Sequence, residues 1–159
     1  MISEFYRSLD SQAQALLSGE DDLIAAMANF SALINDSVKD LNWVGFYLLK
    51  NKQLVLGPFQ GKVACTRIPL GKGVCGTAAS ERKTQRIADV HKFDGHIACD
   101  SASNSEIVIP VMHDQELVAV LDIDSPSLAR FSETDQIGLE KLVNSFENAL
   151  FGQTTTNLS

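Results

Sequence analysis

A chain of 159 residues with a formal charge of -7 is long enough for one well-packed domain and too short for two ordinary ones. The acidic balance argues against nucleic acid or an anionic membrane surface as partner, because both ask for a basic footprint. No apolar run approaches the roughly 18 residues of a membrane span. Met1 to Tyr6 lacks the basic start and apolar core of a secretory signal, so a cytoplasmic location is expected.

The first forty residues read as helix. Phe5, Leu9, Ala13, Leu16 and Leu17 share one face of a short helix stopped by Gly19. Leu23, Ile24, Met27, Phe30, Leu33, Ile34, Val38 and Leu41 recur at steps of three and four and predict a second helix, with Asp21 and Asp22 favouring its start. The period then changes to two. Asn42 to Leu49 and Gln53 to Phe59 predict a hairpin around Asn51-Lys52, and Ala64 to Leu70 a third strand. Val74 to Arg82 reads as a short helix with Cys75 in its first turn. Lys83 to Asn104 reads mostly as loop, long enough to suggest function. Strands over Ser105 to Met112 and Glu116 to Asp124 follow, turning at His113-Asp114-Gln115. Ser132 caps a last helix through Leu150, with Ile137, Leu139, Leu142, Val143, Phe146 and Leu150 offered to the core.

These elements predict an α+β domain over residues 1–151, followed by a polar, frayed tail over 152–159. An antiparallel sheet carries the N- and C-terminal helices on one face. Alternation assigns the faces. Val44, Phe46 and Leu48, then Ile107, Ile109 and Val111, then Leu117, Ala119, Leu121 and Ile123 form the apolar helix side. The opposite face holds Trp43, Gly45 and Tyr47, Glu106, Val108 and Pro110, and Val118, Val120, Asp122 and Asp124. That second face is the expected floor of a pocket roofed by the 83–104 loop.

Asp122 and Asp124 share a face with attachment points roughly 7 Å apart, on an otherwise apolar strand where aspartate is disfavoured. They read either as a solvated strand end before Ser125-Pro126 or as an acidic floor for an ammonium or guanidinium group. Joined by Glu106, they would hold a proton near neutral pH, since like charges raise at least one pKa. Trp43 and Tyr47 are either ordinary buried aromatics or the wall of a small apolar box.

Three cysteines, Cys65, Cys75 and Cys99, argue against a static disulfide framework in a reducing compartment. Inert thiols are one reading. A metal site is another: His91, His96 and Cys99 make an H-x4-H-x2-C run with Cys65 nearby, which matches no standard zinc spacing. The third is a redox pair, in which one thiolate becomes a sulfenic acid and a second thiol closes a disulfide. Cys99, on a polar loop, fits the attacking role. Cys65 and Cys75 both fit the resolving one, Cys75 at a helix N-terminus that lowers a thiol pKa.

Several segments taken in order carry a family resemblance: Asn42-Trp43-Val44-Gly45-Phe46-Tyr47, Leu56-Gly57-Pro58-Phe59-Gln60-Gly61, Cys65-Thr66-Arg67-Ile68, Gly71-Lys72-Gly73-Val74-Cys75-Gly76, His96-Ile97-Ala98-Cys99-Asp100, Ser103-Asn104-Ser105-Glu106-Ile107-Val108 and Leu121-Asp122-Ile123-Asp124-Ser125-Pro126. The set resembles the free methionine-(R)-sulfoxide reductases, which are built on a single GAF domain. The resemblance implies free methionine R-sulfoxide as substrate, thioredoxin as reductant, and neither metal nor organic cofactor. It implies Cys99 as attacking thiol, Cys65 as the closest match to the resolving one, and Cys75 as partner in an alternative disulfide. The family's carboxylates fall on Glu106, Asp122 and Asp124, and its aromatic pocket on Trp43 and Tyr47. Asp100 and the acidic floor should raise the pKa of Cys99, an effect that the substrate's ammonium would offset. A homodimer through the helical face is consistent with the family. The competing reading is a GAF domain that senses a cyclic nucleotide or another small molecule without catalysis.

Overall fold

The computed structural model describes residues 1–97, 99 and 102–152. Asp100 and all of the expected tail after Gly152 lie outside the described residues. Helix α1 (Glu4–Leu17) starts at Ser3, whose side chain accepts from the Tyr6 amide, and α2 (Leu23–Ser37) starts at Asp22, which accepts from the Ala25 amide. Strands β1 (Trp43–Lys50) and β2 (Gln53–Gly61) form the expected hairpin, with Asn51 and Lys52 both at positive φ. Then come β3 (Arg67–Pro69), α3 (Gly73–Glu81), β4 (Gln85–Ile87), β5 (Ser105–His113), β6 (Glu116–Ser125) and α4 (Glu133–Leu150). The six strands make one antiparallel sheet in the order β3-β2-β1-β6-β5-β4.

One face of that sheet is closed by α1, α2 and α4. Val44, Phe46, Ile107, Ile109, Val111, Ala119, Leu121 and Ile123 meet Leu9, Phe30, Ile34, Leu142 and Phe146 in a single core. The alternation expected for β1 and β5 therefore holds. In β6 it breaks at one residue. Val111 faces Ala119 but Met112 faces Leu117, so Val118 bulges and Leu117 turns to the opposite face, where it packs with Val108 and Val120. A second irregularity falls in β2 around Gly57 and Pro58, where proline has no amide to give to a ladder.

Other differences have local causes. On α1 the buried stripe is Tyr6, Leu9, Ala13 and Leu17, while Phe5 and Leu16 are exposed. The Tyr6 hydroxyl donates to Asp135 Oδ1 on α4 at 2.6 Å, which seats a ring that the expected apolar face did not include. On α2, Ile24 is exposed, and the helix stops before Val38 because the chain turns at Asp40 with φ 63°. The third strand is shorter than expected and leaves Cys65 two residues ahead of it. Within the expected loop lies β4, an edge strand paired with β5 whose polar Gln85 and Arg86 gave no hydrophobic signal. Helix α3 packs on the face opposite the other three helices, so it forms part of the roof that the loop alone was expected to supply.

The α4 N-terminus has a full capping box: Ser132 accepts from the Asp135 amide, and Asp135 accepts from the Ser132 amide. One turn further on, Gly138 lies under Tyr6, and a β-carbon there would land on the Tyr6 ring. Gly138→Ala is expected to destabilise the domain by about 1–3 kcal/mol through forced separation of α1 and α4. Urea denaturation reads this as a lower midpoint at unchanged slope.

Candidate active site

Pairing between β5 and β6 sets Glu106 directly opposite Asp124 and Val108 opposite Asp122; pairing with β1 sets Gly45 opposite Asp122. All three carboxylates thus stand on the face away from the main core. Glu106 is 7% exposed, Asp122 6% and Asp124 7%. Burial first, and then the neighbouring carboxylates, push the Glu106 and Asp124 carboxyls well above the usual range. Such a cluster holds a proton near neutral pH. Asp122 Oδ1 and Asp124 Oδ1 are buried with no hydrogen-bond partner among the described residues. The solvated strand end is thereby excluded.

Above the acids lies a cavity of about 30 Å³, roughly the volume of one water molecule. Its wall includes Tyr47, Cys75, His96, Cys99 and Ser103, together with all three acids. Gly73, Val74 and Cys75 bring the first turn of α3 to the rim, where helical amides are unpaired within the helix and the dipole is positive. Gly73 has φ +64°, and the space beside its α-carbon is taken by Ile97. Lys72 lies at the same rim.

Cys65 and Cys99 are joined by a disulfide with their α-carbons 5.3 Å apart. Both are partly buried, and each comes from a connecting segment: Cys65 from the chain between β2 and β3, Cys99 from that between β4 and β5. The Tyr47 hydroxyl donates to the Cys65 carbonyl at 2.9 Å and ties the Cys65 segment to the sheet. Burial, followed by the charges of Asp122, Cys75, Asp124 and Glu106, pushes the Tyr47 hydroxyl far above its usual pKa, so it remains a donor. Cys75 is the free thiol. It is buried, and its Sγ donates to Glu106 Oε2 at 3.9 Å. Burial and the three acids push this thiol up, opposite to the lowering expected from its helix N-terminus.

Trp43 is fully buried but does not line the cavity. Its ring stacks between Tyr47 and Phe59, at 5.9 Å and 5.1 Å, and its Nε1 donates to the Lys62 carbonyl at 3.1 Å. It backs the Tyr47 wall. The histidine–cysteine run does not gather as one donor set: Cys65 and Cys99 are bonded to each other, and His91 Nε2 lies 3.0 Å from Asn104 Oδ1. His96 reaches the cavity. Burial first, then His91, lowers its pKa against a smaller opposing pull from Asp122. Lys72, His96 and Ser103 were not assigned to the pocket from sequence. Each lies in a quoted motif, but no periodicity marks a loop residue as facing a sheet.

Residues 27–150 match the GAF domain family. Among curated proteins, the free methionine-R-sulfoxide reductase of Escherichia coli (strain K12) is 54% identical over 148 residues, covering 93% of this chain and 90% of that protein. The chain belongs to the free methionine-(R)-sulfoxide reductase family. Among solved structures, the reduced form of fRMsr from Staphylococcus aureus is 54% identical with a TM-score of 0.89, covering 91% of this chain and 94% of that one. The free methionine-R-sulfoxide reductase of Neisseria meningitidis, in complex with its substrate, is 41% identical with a TM-score of 0.89, covering 95% and 91%. Family membership thus rests on sequence and fold together.

The acid cluster ties this reductase-family fold to pH. Glu106 and Asp124 titrate higher folded than unfolded, so above the ordinary carboxylate range the folded state binds more protons. Their contribution to stability is present at low pH and is lost as pH rises through the raised folded values. Asp124→Asn should flatten that decline. Urea midpoints measured from about pH 5 to about pH 8 should fall in the wild type and fall less in the variant, which keeps Glu106 buried; parallel curves would refute it.

Proposed function

We propose that this protein reduces free L-methionine (R)-S-oxide to L-methionine, with residues 1–151 as the catalytic domain. The observation that carries the reading is a cysteine pair closed beside a buried triad of carboxylates. The substrate ammonium sits on Glu106, Asp122 and Asp124. Its carboxylate takes the α3 rim, with the Gly73, Val74 and Cys75 amides and Lys72. Its methyl group and sulfur lie against Tyr47, which Trp43 backs.

The Cys99 thiolate attacks the sulfoxide sulfur while a protonated carboxyl of the triad gives its proton to the departing oxygen. The attack forms an S–S bond to the sulfoxide sulfur; the protonated oxygen then moves to Cys99 Sγ as that S–S bond and the substrate's S–O bond break, so methionine leaves and Cys99 is left as a sulfenic acid. The Cys65 thiol displaces the hydroxyl as water and forms the Cys65–Cys99 disulfide. A thioredoxin-type dithiol then reduces it by exchange. For each turnover one sulfoxide and two thiols become one thioether, one water and one disulfide. The triad thus serves twice, as cation site and as acid, and its charge is neutralised when the ammonium arrives. A cavity of about 30 Å³ is far below the roughly 300 Å³ of a small-molecule pocket, so substrate enters the reduced form. No helix among the described residues is long and apolar enough to cross a membrane, and a cytoplasmic reductant pool suits the cycle. The helical face remains available for a homodimer.

Thioredoxin-coupled NADPH consumption tests the reading with free R-sulfoxide, free S-sulfoxide and a sulfoxide-containing peptide. Turnover with the first alone is expected; none with any of them, together with tight nucleotide binding, would establish a sensor instead. Cys99→Ser should lose activity by about a thousandfold or more. Cys65→Ser should release about one methionine per protein and leave Cys99 as a trappable sulfenic acid. A Cys75–Cys99 disulfide in the peptide map of that variant would transfer the resolving role to Cys75.

A further inference from the structure

Cys75 is a buried thiol that the proposed cycle leaves unused, and it stands among acids. Its Sγ, a Glu106 carboxylate oxygen and an Asp122 carboxylate oxygen all lie within 4.8 Å of one another. Bonds of about 2.3 Å to sulfur and about 2.1 Å to oxygen place tetrahedral zinc donors about 3.6 Å apart. Modest side-chain rotation therefore brings these three donors into a coordination sphere. A separate observation points the same way. Asp122 and Asp124, both more than nine-tenths buried and both lining the cavity, each keep an Oδ1 with no hydrogen-bond partner among the described residues. Buried carboxylate oxygens without partners are costly, and a cation satisfies them.

We propose that Cys75, Glu106 and Asp122 form a binding site for one zinc-type divalent cation, with Asp124 beside them, and that this cation excludes the substrate's ammonium. A hard cation such as magnesium or calcium favours all-oxygen shells and makes poor use of a thiolate, whereas zinc takes sulfur and oxygen together. Binding displaces the Cys75 thiol proton and the proton shared by the carboxylates. The dication then neutralises the charges whose repulsion kept those protons in place. The same three acids would thus hold a shared proton, an ammonium group or a metal ion. The overlap with the ammonium rests on the proposed function, but the metal site does not.

The disulfide form of the wild-type protein gives a direct test, because Cys75 is its one remaining thiol. Cobalt(II) titrated into it should produce a thiolate-to-cobalt charge-transfer band at one ion per chain. Zinc should bleach that band, with a dissociation constant on the order of 1 μM. Cys75→Ser should abolish the band, and Asp122→Asn should keep its sulfur character while weakening binding by about 10-fold or more. Should Cys75→Ser fail to fold, zinc protection of wild-type Cys75 against alkylation gives the same answer. No band, a band that survives Cys75→Ser, or alkylation indifferent to zinc would each overturn the site. In reduced protein held by a phosphine, zinc should raise the apparent KM for R-sulfoxide at unchanged kcat. A kcat effect at constant KM would overturn the overlap while leaving the site, and an inactive enzyme that still binds cobalt would refute only the reductase reading.

Discussion

Three carboxylates cannot all stay ionised on one buried patch of sheet, and the rest of the pocket is organised around that constraint. The cross-strand pairing of Glu106 and Asp124 sets two of them directly opposite each other, and Asp122 joins them along β6. Like charges so placed repel, and the cost of burying each ion is several kcal/mol. The Glu106 and Asp124 carboxyls therefore hold their protons more tightly than solvated ones do. The reverse face of the same strands carries Ile107, Leu121 and Ile123 into the main core, so the acids are mounted on the most rigid part of the molecule.

The roof obeys a different requirement. Sulfur exchange needs thiols that can approach, separate and meet a partner protein, and such thiols belong on connecting segments rather than in a sheet. Cys65 and Cys99 come from two such segments. Tyr47 links the two layers: its ring is buried against Trp43 on the sheet, while its hydroxyl holds the Cys65 carbonyl.

How much of this was legible in the sequence follows from the range over which each signal acts. Period-two alternation placed Glu106, Asp122 and Asp124 on one face and Val44, Phe46 and Ile109 on the other, since inward and outward directions are set residue by residue. Leu117 defeated the same rule because the Val118 bulge depends on pairing with β5, which no single strand encodes. Strand β4 was missed because an edge strand with polar side chains has no apolar pattern to display. Trp43 and Tyr47 shared a predicted face, but only the fold shows that Tyr47 reaches the cavity and Trp43 stands behind it. Sequence left Cys65 and Cys75 open as partners of Cys99, since a pairing between segments 34 residues apart is a property of the folded chain.

That the pair formed is Cys65–Cys99 has an electrostatic reason as well as a geometric one. A thiol attacks as its thiolate, and the thiolate is scarce where burial and negative neighbours raise its pKa. Cys75 lies against Glu106 and Asp122 and suffers both effects, with α3 supplying too little positive potential to reverse them. Cys65 is partly exposed and outside the cavity lining. The acidity that makes the triad a good proton source thus makes the nearest thiol a poor nucleophile. The disulfide takes the thiol outside the cavity lining, and the thiol inside it hydrogen-bonds Glu106. On the proposed cycle, a site that bound a cation and donated a proton at one spot would have to bring its resolving sulfur from elsewhere in the chain, and the Cys65 segment is where the disulfide places that sulfur.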